Sequence, residues 1–119
     1  MKMIIDGKKV DSVSKETFDV IAPATGIVVD NVPKATAEDI EKAVTAAVKG
    51  QKEWEKFSVT ERADVLYKFI DIVELNKESL AQTLCAENRK PITEARAEIG
   101  NIKIAFRAFA EHAKHYYGS

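Results

Sequence analysis

Thr17-Phe18-Asp19-Val20-Ile21-Ala22-Pro23-Ala24-Thr25-Gly26-Ile27-Val28-Val29-Asp30-Asn31-Val32-Pro33 decides the first half of the fold. Its β-branched and aromatic runs flank Pro-Ala-Thr-Gly, so the spacing predicts a strand over 17–21, a turn over 23–26 and a partner strand over 27–32. Pro33 ends that strand because it has no N–H for the ladder. Upstream, Met3-Ile4-Ile5 and Lys8-Lys9-Val10 bracket Asp6-Gly7, a dipeptide that accepts positive φ and closes tight hairpins. Residues 1–34 therefore read as a β-hairpin region, either two hairpins or a meander.

Downstream the period becomes helical. Thr36 suits an N-cap, and Glu38 and Asp39 stand in the first turn, where the helix dipole favours acids. Ile40, Ala43, Val44, Ala47, Val48, Gln51 and Trp54 then fall on one helix face. Ser58 and Glu61 form a capping box ahead of Ala63, Leu66, Ile70 and Val73. Asn76 is expected to cap a short helix carrying Leu80 and Leu84, and Pro91 suits the first turn of another. Ala95, Ile99, Ile102, Phe106, Phe109, Ala113 and Tyr116 recur at 4-3-4-3-4-3, a three-heptad seam. A helix from Pro91 to Tyr117 would span roughly 40 Å. A compact globule of this size is only about 30–35 Å across. The seam therefore predicts something beyond this chain's own core to lie against, either a second copy or missing sequence, and self-association as a homodimer or larger is expected. The fold class is α+β: N-terminal hairpins, then a helical region over 35–119 of three to four helices, the last one long. Together they make one incomplete domain.

The 119 residues carry 18 Lys plus Arg and 19 Asp plus Glu, a net charge of −1, with 45% hydrophobic and 31% charged residues. That is a globular composition without the positive excess of a nucleic-acid binder. No apolar run is long enough for a membrane span, so no membrane partner is expected. A single cysteine allows no internal disulfide, and the cytoplasm is the expected location.

The groups able to do chemistry are few. Cys85 lies within helical sequence with no adjacent base, which reads as a small buried hydrophobe. His112 and His115 share a helix face but have no further ligand at metal spacing, so a solvated helix end is expected. Tyr116 closes the seam, Gly118 suits a helix C-cap, and Trp54 with Phe57 suits helix-end packing. Arg62, Arg89-Lys90 and Arg96 are scattered among Glu94 and Glu98, the pattern of a solvated flank. No two of the five glycines are close enough to cradle a phosphate.

Residues 17–26 resemble the N-terminal signature of the NAD(P)-dependent aldehyde dehydrogenase superfamily. Val32-Pro33-Lys34-Ala35-Thr36-Ala37-Glu38-Asp39-Ile40, residues 46–54 and Glu61-Arg62-Ala63-Asp64-Val65-Leu66 follow in the family's order. So do Lys90-Pro91, Glu94-Ala95, Glu98-Ile99 and Phe106-Arg107-Ala108-Phe109-Ala110. The similarity covers essentially the whole chain but only the beginning of the family's sequence. It implies the N-terminal part of the aldehyde dehydrogenase fold, within its nucleotide-binding and oligomerisation portion. In the full-length family an aldehyde is oxidised to an acid with NAD or NADP, and the catalytic and nucleotide-binding residues come later. The resemblance thus implies no catalytic or cofactor-binding residue here, no cofactor for this chain alone and an inactive scaffold segment. The alternative is a naturally truncated oligomerising or partner-binding module. The N-terminal block leans toward semialdehyde substrates.

Some relatives hold a structural monovalent cation, and the matching positions are the Ile21 carbonyl and Glu87, with a third ligand lying later in the family's sequence. Two positions depart from the family: Ala22 replaces the usual Asn, and Arg89 the usual glycine before Lys-Pro. If that glycine has positive φ, Arg89 must either strain there or change the turn.

Overall fold

A computed structural model describes residues 1–115. Its strands and helices form two compact units, Met1–Lys56 and Phe57–Ser119.

In the first unit, β1 (Met3–Ile5) and β2 (Lys8–Val10) pair antiparallel, with Met3 opposite Val10. Asp6 (φ 52°) and Gly7 (φ 71°) close this hairpin, as the Asp-Gly dipeptide predicts. β3 (Thr17–Ile21) pairs with β4 (Val28–Pro33), with Phe18 opposite Val32 and a register shift between Val20 and Ile21. The Ala22 carbonyl accepts from the Gly26 amide at 2.9 Å, and the Ala22 amide donates to the Ile27 carbonyl at 2.8 Å. Each hairpin is its own two-stranded sheet, so the choice between hairpins and a meander resolves to hairpins. Pro33 is the last residue of β4, a strand end where its missing donor costs nothing.

α1 (Ala37–Trp54) begins at a capping box: the Thr36 hydroxyl accepts from the Asp39 amide, and Asp39 accepts from the Thr36 amide. Asp39 is buried, only 3% exposed. It also accepts from the Ser12 hydroxyl at 2.9 Å and from the Val13 amide at 3.2 Å. One carboxylate thereby fixes both the start of α1 and the loop after β2. The Ile40, Val44 and Val48 stripe of α1 is open, each residue more than half exposed.

The second unit holds α2 (Val59–Leu75), α3 (Lys77–Asn88) and α4 (Ile92–Lys114). Ser58 and Glu61 make the expected capping box on α2. Asn76 stands at the α3 N-cap but makes no side-chain cap bond. Its amide donates backward to the Ile72 carbonyl at 2.8 Å, so it finishes α2 instead of starting α3. Val73, Ala81, Ala95 and Ile99 form the core, with Leu84, Cys85, Ile92 and Ile102 packed against it.

α4 is about 34 Å long at 1.5 Å per residue, and α2 and α3 both pack against it. The first half of the heptad seam is therefore covered by this chain's own helices: Ala95 is fully buried and Ile99 is 9% exposed. The expectation that the whole seam needs an outside partner does not hold for these residues. Single-helix periodicity cannot say which neighbour fills a seam. Tyr116, Tyr117 and Gly118 lie outside the described residues.

α3 ends on Arg89 in the left-handed conformation (φ 56°, ψ 23°), its amide donating to the Cys85 carbonyl at 3.0 Å. Of the two alternatives for the missing glycine, the chain keeps the turn and accepts the strain. A Cβ in this region costs on the order of 1 kcal/mol. Arg89→Gly is expected to stabilise the second unit by about 1 kcal/mol, read as a higher urea midpoint at unchanged slope. A lower midpoint would show that the arginine side chain contributes more than its backbone costs.

Candidate functional site

The chemistry-bearing side chains take largely structural places. Cys85 is half-buried against the helical core, with Arg89 closing the turn behind it, which suits the small-hydrophobe reading. His112 and His115 sit at the exposed end of α4. Trp54 is half-buried at the last position of α1, and Phe57 is half-exposed. Among the described residues no three His, Cys, Asp or Glu side chains are grouped to hold a metal ion. Ile21 ends β3 in the first unit and is 53% exposed, while Glu87 lies half-buried in the last turn of α3 in the second.

Two of the scattered cations, Arg96 and Lys90, are paired. Arg96 forks onto Glu78 with bonds of 2.8 and 2.7 Å, tying α4 to α3. That guanidinium holds the Glu78 carboxyl below its ordinary range. Lys90 pairs with Glu98. Both are flank ion pairs of the kind the sequence predicts.

Two polar clusters were not visible as clusters in the sequence. The first is Asp39 with Ser12, Val13 and Thr36. The Thr36 amide is the main cause holding the Asp39 carboxyl at about 2, joined by the Thr36 and Ser12 hydroxyls and the Val13 amide. The second joins α2 to α4. The Tyr67 hydroxyl donates to Glu111, and Lys114 Nζ donates to the Tyr67 oxygen at 3.0 Å while lying 4.9 Å from the ring centroid. The Tyr67 hydroxyl is the main cause lowering the Glu111 carboxyl and raising the Lys114 ammonium. Both clusters lock one element to another. Neither sets a nucleophile beside a base in an enclosed cavity.

The larger feature is the open apolar surface. In the second unit, Val65, Phe69 and Ile72 of α2 stand at i, i+4 and i+7 and are 40–58% exposed. On α4, Phe106 is 37% and Phe109 74% exposed. The rings of Phe69 and Phe106 meet with centroids 4.8 Å apart, joining the two stripes into one face. Tyr67, Ile70, Asp71, Lys103 and Arg107 line a groove of mixed character along the α2–α4 seam. The first unit leaves Phe18, Ile21, Val28 and Val29 of its second hairpin open as well. Among the described residues no helix is long and apolar enough to cross a membrane.

The family model described as "Aldehyde dehydrogenase family" matches residues 9–119. The 3-sulfolactaldehyde dehydrogenase of Pseudomonas putida is 41% identical over 114 residues, which is 96% of this chain and 24% of that protein. The malonate-semialdehyde dehydrogenase of Lacticaseibacillus casei is 40% identical over 100 residues, 84% of this chain and 20% of that one. The crystal structure of an NAD-dependent aldehyde dehydrogenase from Sinorhizobium meliloti superposes with a TM-score of 0.94 at 36% identity. It matches 99% of this chain and 24% of its own. The chain thus spans no more than about a quarter of the length of these relatives.

Proposed function

Because the chain belongs to the aldehyde dehydrogenase family, we propose that it is the N-terminal scaffold and subunit-contact segment of an NAD(P)+-dependent enzyme that oxidises an aldehyde to a carboxylic acid. The observation that carries this reading is the near-complete superposition of the chain on one quarter of a much longer dehydrogenase. The open stripes of α1, α2 and α4 support it, since apolar faces of this extent mark surfaces that another body covers.

On this reading the nucleotide and the reacting thiolate belong to the remaining length of the enzyme. Among the described residues, the glycines with positive φ, Gly7 and Gly26, are both engaged in hairpin turns, so neither shapes a phosphate-binding loop. No step of the reaction runs through a residue of this segment, and the 119-residue chain alone is inactive. The name of one relative, malonate-semialdehyde dehydrogenase, favours a substrate of the semialdehyde type, and the cytoplasm is the compartment of action. If Ile21 and Glu87 ligate a structural cation, they do so with a third ligand from later in the enzyme.

A second reading draws on the same open α2–α4 face: a truncated, non-catalytic module that self-associates. The test is the intact mass of the cellular polypeptide that yields tryptic peptides from this sequence. A product several times longer, reducing NAD(P)+ with an aldehyde, is expected. A native product of 119 residues would overturn the enzyme reading and leave the module.

A further inference from the structure

We draw no further inference here: the strongest candidate, the side-chain cluster in which Tyr67 of α2 meets Glu111 and Lys114 of α4, carries nothing beyond the helix-to-helix lock already described, which accounts for its bonds.

Discussion

Ile99→Ala is expected to destabilise the second unit by about 2–4 kcal/mol, a large share of what a unit of this size holds. Ile99 is 9% exposed and sits in the cluster with Val73, Ala81 and Ala95, where α2, α3 and α4 converge. Removing its outer carbons leaves a cavity that fully buried alanines on α3 and α4 cannot fill. Those positions have no longer side chain to swing inward. Urea unfolding followed by helical circular dichroism measures the loss. Ile104→Ala, on the same helix at 68% exposure, is the matched control and should change stability by less than about 0.5 kcal/mol. Equal effects at the two positions would show that the core of this unit is not where the three helices meet.

The other large effect concerns the first unit. Asp39→Asn replaces a pure acceptor with a group that also carries N–H donors, against the Thr36 amide, the Val13 amide and the Ser12 hydroxyl. At least one buried donor then faces another donor. The unfolding midpoint at neutral pH should fall clearly, read from the fluorescence of Trp54, the chain's one tryptophan and a residue of this unit. The pH dependence supplies the sign. The folded Asp39 carboxyl is lowered to about 2 from 3.8, so its contribution is complete above pH 4 and is lost as the pH falls toward 2. The gap between wild type and Asp39→Asn should therefore be widest near neutrality and close between pH 4 and pH 2. A gap that stays constant with pH would mean that the substitution acts through shape and not through the charge.

Local chemistry was legible along the chain. The Asp6-Gly7 and Pro-Ala-Thr-Gly turns and the caps at Thr36 and Ser58 depend on neighbours within a few residues and stand where the sequence places them, while Pro91 caps α4 one residue ahead of the first turn expected for it. Arg89 shows the same locality in reverse: a turn that wants glycine is formed by arginine at positive φ, since the surrounding helices outweigh a strain of about 1 kcal/mol. The family likeness was legible for a related reason, because it rests on many short collinear matches and not on one distant constellation.

What sequence alone determined is thus the order of elements, their approximate extents and the family they belong to. These follow from backbone preferences and side-chain periodicity, which act over one or two turns. Which face of each helix is covered was decided only by the tertiary structure. The heptad seam of α4 is uniform in sequence, yet Ala95 and Ile99 are sealed inside while Phe109 is open. Asp39 looked like an ordinary first-turn acid until Ser12 and Val13, more than two dozen residues earlier, closed over it. Burial is a property of neighbours distant along the chain, and no periodicity within a single helix encodes who they are.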